Sequence, residues 1–298
     1  MLIVSPGLGL NTSIQDAHNI AWKLAFVLHG KADASLLKTY ETERRPIGEQ
    51  TTDWGLFTFS NFQVLQAAVG LIPGQKEYNQ VRFTRLFEKS EFGDMTRHQI
   101  QRIIGTQNIE FSAHGIEMDM RYEKDAATVP DGTPPPPRDH SGTTYIPRSR
   151  PGHRLPHAWL EANHEVISTH DLIRAGIKGH DFLLITDEAG APWMNAARRL
   201  CKTTKLKIRT VAIRAHRHST GSNLFNDHDD EWISVRGIND GGAILVRPDN
   251  FVAWRCQDPS MSNGTELIGA VATLLGDHVM IGQTNGEAQI VTNGVNHS

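Results

Sequence analysis

The run Pro134-Pro135-Pro136-Pro137, close behind the turn pair Asp131-Gly132, cuts this chain in two, because consecutive prolines cannot continue a helix or occupy a central strand. Helical periodicity dominates before the break, and short β-type runs alternate with helices after it. The pattern predicts an N-terminal, mostly helical domain over 1–110, a linker over 111–147, an α/β domain over 148–276 and a loosely held tail over 277–298. A stiff interdomain linker is the simpler reading of the prolines than a docking ligand for a polyproline-binding groove.

In the N-terminal half, Ile14, Ala17, Ala21, Leu24, Ala25 and Leu28 recur at three- and four-residue spacing and predict a helix from Thr12 to Leu28. Thr12 and Gln15 fit a capping box at its start, and Gly30 a stop. Leu36 to Glu43 reads as a second, short helix ended by Arg44-Arg45-Pro46, since Pro46 disfavours helical geometry at Arg45. From Gln50 to Gly105 the propensity is mostly helical, Thr96 to Ile104 included, and no residue there declares a chemistry.

After the break, Phe182 to Thr186, Lys207 to Ile213, Ala243 to Val246 and Phe251 to Arg255 read as strands, and Pro192 to Lys202 and Thr265 to Leu275 as helices. Pro248-Asp249-Asn250 joins the last two strands as a hairpin. Strand-helix alternation closing on a hairpin and a helix predicts a small domain of thioredoxin-like topology. Cys201 and Cys256 are the only cysteines, 55 positions apart in the chain. No CxxC pair or Cys-rich zinc site can be built from them, and both read as buried thiols.

Thirty Lys and Arg against 33 Asp and Glu, a formal charge of -3, create no overall field favouring nucleic acid or an anionic membrane. The longest nearly apolar stretches, Ala21 to Leu28 and Leu65 to Pro73, fall well short of the roughly 20 residues that span a bilayer. Residues 1–7 lack the basic start and apolar run of a signal peptide, so a cytoplasmic location is the expectation.

The stretch that carries chemistry is Gly7-Leu8-Gly9-Leu10-Asn11-Thr12, running straight into the first helix. Two glycines permit close backbone approach to a ligand where unpaired helix N–H groups point outward, the makings of an anion site. On spacing alone, a tight turn before an amphipathic helix is the simpler reading. The whole stretch from Gly7 to Leu24, however, resembles the last flavin-contacting motif of the FAD-dependent aromatic-ring hydroxylases, the phenol and chlorophenol hydroxylases and their relatives. The resemblance continues through Tyr40 to Ile47, Val129 to Gly132, Arg150 to Trp159, Ser168 to Leu172 and Leu245 to Arg255.

This resemblance implies FAD as cofactor, NAD(P)H as reductant, and a phenolic or polyketide-like aromatic as substrate. The reduced flavin activates O2, and one oxygen atom passes to the ring. It further implies that the N–H groups of Leu10 and Asn11 face the pyrimidine edge of the flavin, that Gly7 and Gly9 permit that approach, and that Asp16 and Asn19 support the helix and loop. The family's domain after the Asp-Gly motif is thioredoxin-like without redox cysteines, in keeping with the independent reading above. The family's GxGxxG unit, its acidic ribose-binding residue and its ribityl-holding Gly-Asp pair have no counterpart here, and Pro6 stands where a glycine is usual. The expectation is a C-terminal portion in which no catalytic base is nominated, which is inactive alone and pairs with itself or with a complementing chain through uncovered helix surface. The rival expectation is a non-catalytic remnant serving as an interaction module.

Other residues carry blander expectations. His216, His218, His228 and Asp229 read as solvated loop residues rather than metal ligands, because no third ligand stands at a zinc-type spacing. His153 and His157 read as packing or hydrogen-bonding groups. Arg44 and Arg45 could grip a phosphate, but basic residues near a helix C-terminus commonly interact with its dipole, which is the simpler reading.

Overall fold

The computed structural model describes residues 8–173, 181–214, 224–259 and 264–276. The chain divides into two compact units, one of Met1–Ile20, Tyr40–Ala126 and Thr133–Pro147, the other of Ala21–Thr39, Ala127–Gly132 and Arg148–Ser298. The tail over 277–298 lies outside the described residues.

In the first unit, helix α1 (Leu8–Leu28) begins one turn earlier than the spacing predicts and contributes its residues up to Ile20. Thr12 is not its cap. The Thr12 hydroxyl lies inside the helix and donates back to the Leu8 carbonyl at 2.9 Å. After a 3₁₀ turn over Ala34–Leu37, helix α2 (Lys38–Val69) runs for 32 residues straight through Pro46, where the sequence predicted an end. Proline in a helix interior costs about 3 kcal/mol, so contacts beyond the backbone must hold this turn. Immediately before Pro46, buried Glu43 accepts from Asn19 Nδ2 at 2.7 Å, and buried Arg44 donates to Asp16 at 2.7 Å and to the Tyr122 hydroxyl at 3.1 Å. On the outer face Arg45 pairs with Glu41 one turn back and Glu49 one turn on, spanning the proline. Arg44 is thus held by Asp16 and Tyr122 and Arg45 by two exposed glutamates, and both stand within α2 rather than at the helix C-terminus that the sequence predicted.

Helices α3 (Lys76–Leu86) and α4 (Glu91–Thr106) follow, with Ser90 capping α4 through the Gly93 N–H at 3.2 Å. Two short helices, α5 (Asn108–Phe111) and α6 (His114–Met118), lead to Arg121, which forks onto Asp119 and donates to the Pro136 carbonyl at 2.6 Å.

The second unit is built on a seven-stranded mixed sheet in the order β2-β1-β5-β4-β3-β6-β7. Its strands are β1 (Trp159–Ala162), β2 (Glu165–Ser168), β3 (Phe182–Thr186), β4 (Ile208–Arg214), β5 (Leu224–Asp227), β6 (Ala243–Val246) and β7 (Val252–Cys256). β3, β4 and β5 run parallel, β6 pairs antiparallel to β3, and β7 pairs antiparallel to β6 at the edge. β3 and β6 are buried along their full length, which explains their unbroken apolar sequences. Phe182 and Leu184 face a core formed with Trp22, Phe26 and helices α7 (Ala191–Thr203) and α9 (Thr265–Leu275). Leu183 and Ile185 face a second core with Leu155, Leu160, Val211 and Trp232, the last from short helix α8 (Glu231–Val235). The expected α/β alternation ending in a hairpin and helix is present as β3-α7-β4 and β6-β7-α9.

The β1–β2 hairpin and β5 were not predicted. Asn163 and His164 turn the hairpin with φ of 51° and 67°, a two-residue turn without the glycine that usually announces one. The cysteines are partly rather than fully buried, correcting the sequence reading: Cys201 Sγ accepts from the Ile208 N–H at 3.3 Å, and Cys256 Sγ donates to the Asp258 carbonyl at 3.5 Å. Burial, and then nearby Glu266, push the Cys256 thiol above its usual pKa.

Candidate functional site

Of the four residues that the sequence singled out, Gly9, Leu10 and Asn11 lie in the first turn of α1, and Gly7 lies outside the described residues. First-turn N–H groups have no acceptor within their own helix, and the summed peptide dipoles leave a partial positive charge there. Gly9 is buried, whereas Asn11 and Leu10 are exposed, and no acidic side chain stands in this turn to oppose an incoming electron-rich group. The residues present therefore fit the electron-rich pyrimidine edge of a flavin. Asp16 and Asn19, one and two turns along, fasten α1 to Arg44 and Glu43 of α2 and so fix the direction in which the helix end points.

A second cluster of polar side chains lies in the second unit. His157 Nδ1 and the Ser168 hydroxyl are 2.9 Å apart, and His170 Nε2 donates to the Leu155 carbonyl at 2.6 Å. Ser168 also caps the 3₁₀ turn Thr169–Asp171, with Asp171 accepting from the Ser168 N–H in return. These bonds knit β2 to the segment before β1, which is a structural task. Burial above all, with the charges of Arg154 and His157, holds the His170 pKa below its usual 6.5. The unfolded chain therefore takes up this proton at a higher pH than the folded chain does. Stability linked to His170 is complete above about pH 6.5 and is lost as pH falls from there through the lower folded-state value. Replacing His170 by Gln, whose amide can keep the bond to Leu155, should flatten the fall in melting temperature between about pH 6.5 and 5. Parallel melting curves for the two proteins across that range would refute this.

His153 is buried, with its backbone N–H on the Arg150 carbonyl and its carbonyl accepting from the Val252 N–H, so it helps hold the segment before β1 against β7. His228 stands 3.6 Å from Glu161. His216 and His218 lie outside the described residues, and among the described residues no group of His, Cys, Asp or Glu could hold a metal ion. No described helix is long and apolar enough to cross a membrane.

The first unit also holds a cleft of about 550 Å³, walled by Ile47, Trp54 and Phe57 of α2 and by Ile116 of α6, with Asp53 and Arg138 among its polar groups. Sequence reasoning passed over it. The available signal was the spacing of Pro46, Ile47, Gln50, Asp53, Trp54 and Phe57 along one helix face, hidden by the expected break at Pro46.

Residues 2–55 match the family model of an FAD binding domain, and residues 148–277 that of the aromatic-ring hydroxylase C-terminal domain. The chain is 38% identical over 275 residues to 2,4-dichlorophenol 6-monooxygenase of Delftia acidovorans, covering 91% of this chain and 45% of that protein. It is 34% identical to phenol 2-monooxygenase of Pseudomonas sp. (strain EST1001), covering 85% of this chain and 40% of the relative. Among solved structures, the flavin-dependent monooxygenase PieE in complex with FAD and substrate matches with a TM-score of 0.75 at 33% identity, over 91% of this chain and 45% of that one. The chain thus spans less than half the length of these relatives, and it belongs to the FAD-dependent aromatic-ring hydroxylase family.

Proposed function

We propose that this chain supplies the flavin-facing helix end and the C-terminal domain of an FAD-dependent monooxygenase that hydroxylates a phenolic or polyketide-like aromatic. The observation that carries the reading is the first turn of α1, with outward N–H groups, a buried glycine at Gly9 and no acidic neighbour, inside the segment that matches an FAD binding domain. In this reading the flavin supplies oxygen activation: the aromatic C–H, O2, NAD(P)H and a proton give the phenol, NAD(P)+ and water. The residues of this chain have a narrower task. The N–H groups of Leu10 and Asn11 hold the flavin's pyrimidine edge, Gly7 and Gly9 allow the backbone to come close, and the Asp16–Arg44 and Asn19–Glu43 bonds keep the helix end aimed.

Residues 148–276 act in this proposal as a thioredoxin-like module that contributes packing rather than dithiol chemistry. The wider enzyme draws its adenosine and ribityl contacts from sequence beyond the 45% that this chain shares with its relative. Co-purification of the chain with the N-terminal half of the Delftia relative tests the proposal directly. A flavin-containing complex that consumes NAD(P)H and forms a hydroxylated product from 2,4-dichlorophenol is the expected result. A stable, flavin-loaded complex that forms no hydroxylated product from any member of a panel of phenols would overturn it.

A further inference from the structure

We propose that the cleft of the first unit is a binding site for a planar phenolic ring, separate from the flavin-facing turn of α1. Its volume, about 550 Å³, lies within the 300 to 1,000 Å³ range of small-molecule sites, and its make-up follows their usual plan of apolar walls with a few polar groups. Trp54 and Phe57, with ring centroids 5.4 Å apart and planes tilted by 34°, form an open aromatic wedge rather than a closed stack. A flat ring lying along this aromatic wall can stack on an exposed face of the pair, with Ile47 and Ile116 completing the apolar wall.

The loop behind the lining residues Ile116 and Arg138 is fixed in advance. Asp139 accepts from the N–H groups of Ser141, Thr143 and Thr144 at 2.9, 3.0 and 2.7 Å, which locks the loop that follows it. Gly142, at φ 71°, brings this loop so close that an added Cβ would lie 2.9 Å from Ile116 Cγ1 and 3.7 Å from Trp54. The Gly115 N–H bonds the Gly142 carbonyl at 2.9 Å and ties α6 to the same loop. A ligand therefore meets a formed surface and loses little free energy to ordering it.

The polar groups select a hydroxylated ring over a hydrocarbon. Arg121 is already saturated by Asp119 and the Pro136 carbonyl, so it shapes the cleft without offering charge. The Asp53 carboxylate is exposed on α2 and available to accept from a phenolic hydroxyl. Arg138 is half-exposed and held by Glu123 only at 3.4 Å, which leaves its guanidinium free to swing over a ring face. The choice of a phenol among hydroxylated rings rests on the function proposed above, whereas the existence of the site does not.

The test uses the full chain, without FAD, at pH 6.5, titrated with 2,4-dichlorophenol and with its methyl ether, which cannot donate a hydrogen bond. Calorimetry gives the affinities, tryptophan fluorescence reports on Trp54, and melting curves of Asp53→Asn and Trp54→Phe confirm that both variants fold. The phenol should bind saturably and at least fivefold more tightly than the ether. Asp53→Asn should weaken the phenol about tenfold and erase the preference, and Trp54→Phe should weaken both ligands and remove the fluorescence change. Absence of saturation at millimolar phenol, or affinities unchanged in both folded variants, would overturn the site. Because no flavin is present, these outcomes stand apart from success or failure of the proposed hydroxylation.

Discussion

Replacing Asp249 by Ala is expected to destabilise the second unit by about 3 to 5 kcal/mol, the cost of removing one partner from a buried ion pair. Asp249 accepts from Arg247 Nε at 3.0 Å, from Arg247 Nη2 at 2.6 Å and from the Trp22 indole N–H at 3.1 Å. Arg247 is fully buried, with its guanidinium 5.1 Å from the Trp22 ring centroid and 5.8 Å from that of Phe251. Without the carboxylate, that charge stays desolvated with the Ala127 carbonyl, 3.3 Å away, as a remaining acceptor. The Trp22 N–H loses its acceptor as well. The melting temperature should fall by on the order of 10 °C. Changing Arg247 to Met in the same background should restore much of the loss, since two apolar groups in such a place approach neutrality while one unpaired charge does not. A single Asp249→Ala variant within about 1 kcal/mol of the parent by denaturant unfolding would show that the pair contributes little.

The same network shows how much of the fold could be read in advance. Pro248-Asp249-Asn250 was legible as the hairpin turn, and Asn250 takes the left-handed conformation with φ of 65° that such a turn requires. Nothing local indicated that Asp249 would serve a tryptophan 227 positions earlier, because that bond depends on where α1 packs. The failure at Pro46 has the same origin. Proline propensity argued for a helix end, and tertiary partners in Asp16, Asn19 and Tyr122 overrode it at Arg44 and Glu43. Strands β3 and β6 were readable because burial on both faces leaves apolar runs, whereas the mixed burial of β1, β2 and β5 leaves no such run to read. The flavin-facing segment was legible as a motif, but its geometry was not: the loop over 7–12 is already helical from Leu8, so the donors belong to a helix end rather than to the turn before it.

That geometry limits what the 298-residue polypeptide can do unaided, and it is expected to bind FAD weakly or not at all. An exposed helix end contributes about 0.3 to 1 kcal/mol toward an anionic group, and two backbone hydrogen bonds add about 1 to 3 kcal/mol. Micromolar affinity requires about 8 kcal/mol. The difference must come from contacts to the adenosine, pyrophosphate and ribityl groups, which in a dinucleotide-binding unit are made by a βαβ segment. The outer face of α1 points the same way. Leu10, Ile14, Leu24 and Leu28 are 71, 59, 42 and 80% exposed, while Thr12, Asn19, Trp22, Lys23 and Phe26 form its buried side. An apolar stripe of that length on one helix favours association with another surface, so the isolated chain should also self-associate as its concentration rises. Purification with excess FAD, followed by a visible spectrum, calorimetric titration and light scattering, measures all of this at once. The expected outcome is a colourless protein, no resolvable heat of FAD binding at micromolar concentration, and mass above that of a monomer. A yellow, stoichiometric, monomeric complex of submicromolar affinity would mean that these residues build a complete flavin site by themselves, and that the helix end contributes far more than its dipole and two donors can account for.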